Sequence, residues 1–537
     1  KRQDYNRLLV IPTEGTDLPP PNGTGVDFFP EQWGLNNTGQ LLIEPTLGQP
    51  ILTGTPDADI DAPEGWDIHT GDANVKIAIL DSGVDCNSVD LAGKCVEQTS
   101  FVARFSATTD DLVGHGTHVA GIAAANVDNS KGTAGVGWNS SIGNLKVCYE
   151  YELDLLPPLG IFVTVGVCPV SASADAITYA ADNDYHVINM SYQSDVVDPD
   201  TGEPVGLMSP PNVESAAVSY AWNKGVVIVA AAGNEPNTDL VYPAALSEVI
   251  AVAATDRYDN LASFSTFGNT WVSMMAPGEN ILSTEPDIKC VQFVPGYVPG
   301  VDDCLTWKSG TSMASPHVAG AAALLWSHLY PGQSPGDCTA SNGMPCNSVV
   351  RTMLEDSADT SGALAQNFLA WCQNGRLNLY NVLADGDGDS ILSPIDNCPD
   401  INNPDQTDTD RDLKGNACDL DDDNDAVLDL EDNCPLVSNF EQVNSDYDDV
   451  GDACDNCTLV TNADQRDNDG DYYGNACDPD FDNNQIVNTA DLAWFTTRFF
   501  SPDPDADLNG DGVVNATDLM ILKKMYFGPP GPSGLLP

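Results

Sequence analysis

The chain is short of positive charge. It carries 20 Lys and Arg against 80 Asp and Glu in 537 residues, a formal net charge of -60. Such a surface repels phosphate backbones and anionic headgroups, which excludes nucleic acid and acidic membrane surfaces as partners. It also lacks any run of about 18 apolar residues, so no segment reads as a membrane span. The opening Lys1-Arg2-Gln3-Asp4-Tyr5 has no apolar core of a signal peptide. What the chain does have is carboxylate, which favours solubility and bound cations.

It also has 15 cysteines, most of them in close pairs. Cys86 and Cys95, Cys148 and Cys168, and Cys290 and Cys304 each bracket a loop, while Cys338, Cys346 and Cys372 form a trio with one thiol left over. Cys398/Cys418, Cys434/Cys454 and Cys457/Cys477 repeat one separation of 20. Acidic, calcium-type loops surround these last pairs. A disulfide framework therefore reads better than zinc ligation or buried thiols, and an oxidising, extracellular setting with a processed start is expected.

The length implies several domains. Residues 1–30 read as an exposed Pro/Gly-rich arm. Residues 31–383 alternate short apolar runs with helical patterns. Lys76–Leu80, Asn144–Val147, His186–Met190 and Val226–Ala230 read as buried strands, with helices over Thr117–Asn126, Ala172–Asp182 and Val213–Lys224. The expectation is an α/β fold, a parallel sheet with helices on both faces and its site at the carboxyl ends of the strands. Residues 384–479 are Asp-, Asn- and Gly-rich, and need metals and disulfides as staples. Residues 480–527 hold two units, each a polar loop followed by an apolar helix, and 528–537 are expected to be a disordered tail.

Three runs carry chemistry. Asp81 closes a buried strand in Ile79-Leu80-Asp81-Ser82-Gly83; His115 opens a helix in Gly114-His115-Gly116-Thr117-His118; Ser312 opens another in Ser309-Gly310-Thr311-Ser312-Met313-Ala314. A serine at a helix start offers an exposed hydroxyl and a free backbone N–H, hence a nucleophile and half an oxyanion hole. Singly, each residue is as readily a turn residue or an N-cap. Together, in the order Asp, His, Ser, the runs resemble the subtilisin-like serine peptidases (subtilases). The resemblance implies a triad of Asp81, His115 and Ser312, with Asn234 of Ala231-Ala232-Gly233-Asn234 as side-chain oxyanion donor. It selects His115 over His118; His317, inside the serine's helix and too far along to reach the hydroxyl, reads as a packed core residue. It further implies that Ser191, Tyr192 and Gln193 form one wall of the substrate pocket and that Ala231, Ala232 and Gly233 form the other. Gln193 departs from the glycine that many subtilases carry. Asp90 matches a calcium ligand of the family. An insertion from Tyr149 to Val170, with Glu150, Glu152 and Asp154, is expected to edge the non-primed subsites and favour basic or neutral residues there. A plain solvated loop is the alternative.

Downstream, Asp385, Asp387 and Asp389 are followed at loop position twelve by Asp396, and Asp421, Asp423 and Asp425 likewise by Asp432. Hard cations need several oxygens converging on one point, and this is calcium-loop spacing. A second loop type carries Asp408, Asp410 and Asp412 with Gly415; Asn444, Asp446 and Asp448 with Gly451; and Asp467, Asp469 and Asp471 with Gly474. With the cysteine offsets, these loops resemble thrombospondin type 3 repeats. Asp480, Asp482, Asn484, Asn488 and Asp491, then Asp507, Asn509, Asp511, Asn515 and Asp518, repeat a loop with a helix after it. Gly512 holds position six of the second loop, but Gln485 replaces it in the first. This pair resembles a type I dockerin and implies a cohesin-type scaffold as partner, with a calcium-stabilised end cap as the alternative.

The function expected is a secreted, calcium-dependent serine endopeptidase acting on proteins or peptides through an acyl-enzyme, with Ca2+ as its cofactor. Two alternatives remain open: an extracellular calcium-binding attachment protein whose peptidase domain is inactive, and a narrow-specificity processing peptidase.

Overall fold

The computed structural model describes residues 29–40, 42–43, 50–51, 53–106, 108–129, 131–154, 162–193, 195–197, 204–206, 212–294, 296–340, 343–362, 367–385, 391–399 and 401–535. The chain divides into two compact units. One holds residues through Ala384 together with Leu392–Ile395; the other holds Asp385–Ile391 and Asp396 onward.

A seven-stranded parallel sheet organises the first unit. Its strands are β1 (Lys76–Asp81), β2 (Cys95–Ser100), β3 (Ser141–Lys146), β4 (Val187–Met190), β5 (Val227–Ala231), β6 (Ile250–Thr255) and β7 (Met274–Pro277). Their order is β7-β6-β5-β4-β1-β3-β2. Alternation along each strand divides the side chains between two cores. Ile77, Ile79, Val187, Val227 and Val229 face one core, whereas Ala78, Leu80, Ile188, Ile228 and Ala230 face the other. A strand buried on both faces reads as a continuous apolar run, which is why these segments stand out. The first core is covered by α1 (His115–Ala124) and α4 (Thr311–Leu329); the second by α2 (Val170–Asp182) and α3 (Asn212–Asn223). Sheet order reverses about β1: β3 lies on one side and β4 on the other. The carboxyl end of β1 is thus the switch point where such sheets open a crevice, and Asp81 stands there.

The second unit has little regular structure apart from α5 (Thr489–Thr496) and α6 (Ala516–Met525), whose apolar faces share a small core with Val487, Leu508 and Val514. Asn488 with Asp491, and Asn515 with Asp518, form capping boxes that start these helices. The six isolated cysteine pairs expected are bonded, and the trio resolves into Cys338–Cys346 with Cys372 free and buried.

One expectation is corrected. The segment 528–537 is not disordered where it is described. Gly531 N donates to Cys477 O (3.0 Å), Thr458 N to Pro532 O (3.0 Å) and Gly534 N to Asp455 O (2.8 Å). The glycine after His115 serves internal packing. A Cβ on Gly116 would lie 2.1 Å from Gly83 O and 2.9 Å from the Asp81 Cβ, so only glycine lets the helix start abut β1. The arm, residues 1–28, lies outside the described residues.

Candidate active site and acidic loops

Asp81, at the end of β1, is buried, and both its carboxylate oxygens accept from His115 Nδ1 (2.8 and 3.0 Å). Oδ1 also takes the Ser82 N–H (2.7 Å). Burial works against a charged imidazole at His115. The Asp81 charge and hydrogen bond outweigh it, Asp111 adds to them and Lys308 opposes, and the pKa ends above 6.5. With Nδ1 engaged by Asp81, Nε2 is the ring nitrogen left to accept a proton. His118 is a different object. It is fully buried, Nε2 donates to the carbonyls of Thr306 (3.0 Å) and Ile281 (3.1 Å), and burial drives its pKa well down. His317, bonded through Nδ1 to Met313 O (2.8 Å), is a core residue pushed down to about 4 by burial.

Ser312 lies in the first turn of α4, whose N–H groups have no partner inside the helix. Its hydroxyl donates to Ser191 O (3.0 Å) and forms no hydrogen bond with His115. In a free enzyme such a contact is commonly loose and tightens around substrate. Asn234 is exposed and its amide orientation is fixed. Oδ1 accepts from Thr311 N (2.9 Å) and Thr311 Oγ1 (3.1 Å), so Nδ2 is the end left to face a ligand. Thr311 was not singled out from the sequence. Its hydroxyl also receives Gly233 N (3.0 Å), a link visible only once Asn234 and α4 are adjacent.

The two segments expected to line the pocket meet. A Cβ on Gly233 would stand 3.3 Å from Gln193 Oε1, and its φ of 109° suits glycine alone. Ala231 and Ala232 are buried at the end of β5. Tyr192 turns its hydroxyl to Ser173 Oγ (2.7 Å), while Ser191 is buried under α4. In the insertion, Tyr149–Asp154 pairs with Phe162–Val167 as a hairpin. Glu150 is turned onto the buried Lys146, Glu152 is exposed, and the side chain of Asp154 lies outside the description. Asp90 is buried, accepting from Asn129 Nδ2 (3.2 Å) and Thr133 N (2.8 Å), and among the described residues it joins no group of three or more carboxylates.

The sequence profile of the subtilase family matches residues 72–371. The chain is 41% identical over 324 residues to thermitase of Thermoactinomyces vulgaris, spanning 60% of this chain and 93% of that protein. The chain belongs to the subtilase family. A thermophilic serine proteinase of Bacillus sp. (strain AK1) is 39% identical over 318 residues, 59% of this chain and 64% of that protein. Subtilisin DY of Bacillus licheniformis is 39% identical over 263 residues, 48% of this chain and 78% of that protein. This subtilase is a serine endopeptidase. Thrombospondin type 3 repeats match residues 407–442 and 466–492, so the first loop of the helix-bearing pair falls within that match.

The subtilase's acidic loops gather carboxylates. Asp408/Asp410/Asp412, Asp421/Asp423/Asp425, Asp446/Asp448/Asp455, Asp467/Asp469/Asp471 and Asp480/Asp482/Asp491 each bring one oxygen per residue within 4.8 Å of the others. Cation–oxygen distances of about 2.3–2.6 Å suit such a spacing. In three of these clusters, Asp423 Oδ2, Asp446 Oδ2, Asp455 Oδ2 and Asp491 Oδ1 are buried and accept no hydrogen bond. Unpaired buried carboxylate is costly, so these donors fit a hard cation. Asp455 was not singled out, although counting twelve from Asn444 reaches it. Asn444 itself accepts from Tyr447 N through Oδ1 (2.7 Å).

Other expected ligands stand apart. Asp432 Oδ1 accepts from Cys434 N (2.7 Å) and Gln442 Nε2 (2.6 Å) and does not join Asp421/Asp423/Asp425. Asp396 is placed alike, with Oδ1 on Cys398 N (2.8 Å) and Gln406 Nε2 (2.7 Å), and its Oδ2 is buried without a partner. Asp387 and Asp389 lie outside the described residues, while Asp385 is exposed. Asp507, Asp511 and Asp518 are not drawn together. Asp511 Oδ2 accepts the amides of Asn509 and Asn515 (3.1 Å each), and both oxygens of Asp518 accept backbone N–H groups. In the first loop of that pair, Asn488 caps α5 and Asn484 bonds Asp482.

Proposed function

We propose that this endopeptidase cleaves protein substrates by acyl transfer at Ser312. His115 Nε2 takes the Ser312 hydroxyl proton as the oxygen attacks the peptide carbonyl, then returns it to the leaving amine. Asp81 holds the imidazole tautomer and stabilises the imidazolium. Asn234 Nδ2 and the Ser312 N–H receive the oxyanion. Ser191–Gln193 and Ala231–Gly233 flank the substrate as walls of its pocket, with Glu152 the exposed acid of the hairpin. The observation that carries this reading is the buried Asp81 paired with both oxygens to His115, together with an Asn234 amide locked by Thr311. The test is hydrolysis of casein before and after a serine-directed inhibitor, and by the Ser312→Ala variant. Cleavage that survives both would remove the assignment.

The organisation that goes with it is a peptidase domain (31–383), thrombospondin type 3-like repeats (384–479) and a terminal module (480–527) in a secreted protein; seven disulfides support the oxidising setting. Calcium would be held by the five carboxylate clusters, where it supplies charge neutralisation and fixes loop geometry. Asp90 is kept as a further ligand by resemblance. For the terminal module, docking to a cohesin-type scaffold is one reading. The bonds from residues 531–534 to the third repeat favour the other, an end cap.

A further inference from the structure

Pro316 stands inside α4, four residues after Ser312. In an α-helix the N–H at that place donates to the carbonyl four residues back, and proline has none. The Ser312 carbonyl is therefore deprived of its helical partner. Ser191 Oγ fills the gap at 3.0 Å. The hydroxyl's whole capacity is used there: it is 2.9 Å from Ser315 Oγ and 2.9 Å from Asn189 Nδ2. A serine hydroxyl has one proton and two lone pairs. If the proton goes to Ser312 O, the Ser315 hydroxyl and the Asn189 amide must both donate to Ser191. Ser191, Ser315 and Asn189 are all buried, so no solvent competes for these bonds. In return Ser191 O accepts from Ser312 Oγ (3.0 Å).

We infer that Ser191 is a positioning residue for the nucleophile: its hydroxyl replaces the backbone hydrogen bond that Pro316 removes, and so fixes where Ser312 presents its Oγ and N–H. This rests on the reading of Ser312 as nucleophile. It is a role for the Ser191 side chain apart from the pocket wall that its backbone would supply. Ser191→Ala leaves the Ser312 carbonyl without either donor and the first turn of α4 free to shift. Small misplacements at a reacting centre cost on the order of 100-fold.

The experiment measures, on the full chain, kcat and KM for a peptide substrate and the rate at which a fluorophosphonate labels Ser312, with labelled sites located by mass spectrometry. Rates are taken per mole of folded, disulfide-intact enzyme. For Ser191→Ala, kcat and the labelling rate are expected to fall about 10- to 100-fold with KM little changed. Ser191→Thr keeps the hydroxyl and is expected to retain more of kcat and of the labelling rate than Ser191→Ala. The decisive variant is Ser191→Ala/Pro316→Ala, which gives the helix back its N–H; it is expected to recover at least half of the logarithmic loss. Label found elsewhere than Ser312 would refute the acyl-transfer reading itself. Label on Ser312 at an unchanged rate in Ser191→Ala, or a double variant as slow as the single one, would overturn the positioning role alone. Should Ser191→Ala not fold, a folded and active double variant supports the role, and a double variant that also fails to fold overturns it.

Discussion

His115 owes its basicity to one neighbour. Burial alone would lower its pKa, and the Asp81 contact reverses the sign. The base must be neutral to accept a proton, so kcat/KM is expected to fall in acid along a limb centred above pH 6.5, read from a pH–rate profile. In Asp81→Asn the raising charge is gone while burial and Lys308 remain. The limb should move to lower pH, and kcat should drop on the order of 10⁴-fold because the tautomer is no longer held. Asn234 acts at a different moment. In the proposed mechanism its amide bonds the oxyanion and not the resting substrate, so Asn234→Ala is expected to lower kcat by about 10²–10³-fold and leave KM nearly unchanged, a split visible in steady-state kinetics.

The acidic loops share one backbone device that the sequence disguises. Position six is left-handed in five of them: Leu413, Ala426, Tyr472, Gln485 and Gly512 have φ of 80°, 73°, 75°, 65° and 88°. That turn favours glycine because a Cβ is strained there. Reading Gly512 as the rule and Gln485 as the exception was thus only half of the matter. The backbone takes the same path with or without glycine, and the cost falls on the loop stability. Gln485→Gly is expected to stabilise the terminal module by about 1 kcal/mol, measured as a rise in its chelator-sensitive unfolding midpoint. Asp511, by contrast, has its oxygen on two asparagine amides, a local satisfaction that residue spacing alone did not reveal.

Each unit is closed by a different currency of interaction. In the peptidase unit, Arg376 is buried between Asp259 (2.6 Å) and Asp359 (2.8 Å), and Asn378 Nδ2 reaches Asp61 Oδ2 (2.7 Å), so residues far apart in the chain are clasped. Asp59, nearby, is pushed up to about 8 by burial and by the charge of Asp61. Arg376→Met strands these carboxylates, and a loss of about 3–5 kcal/mol is expected in chemical denaturation. A raised aspartate pKa favours the folded state fully below pH 3.8, and this contribution is lost as pH rises toward 8. Asp59→Asn is accordingly expected to flatten the decline of the unfolding midpoint between about pH 4 and pH 8. In the second unit, carboxylate clusters and three disulfides stand where a large core would be. Calcium titration after chelation is expected to raise its circular-dichroism order and its resistance to added protease.

Four of the seven sheet strands, the helix starts at His115 and Ser312, the six isolated cysteine pairs and the repeating acidic loops were legible along the chain. Periodicity, spacing and glycine placement are local, and a strand buried on both faces announces itself. Cys95–Ser100, Ile250–Thr255 and Met274–Pro277 were not: the first is only half-buried, the second is half alanine, a weak strand former, and the third is a short run recognised through its partner. Contacts between distant segments came from folding alone: the selection of His115 over His118 by geometry, the Thr311 lock on Asn234, the exchange between Ser191 and Ser312, and the entry of Asp455 into a cluster. A hydrogen bond depends on direction and on a few tenths of an ångström, and linear order carries neither.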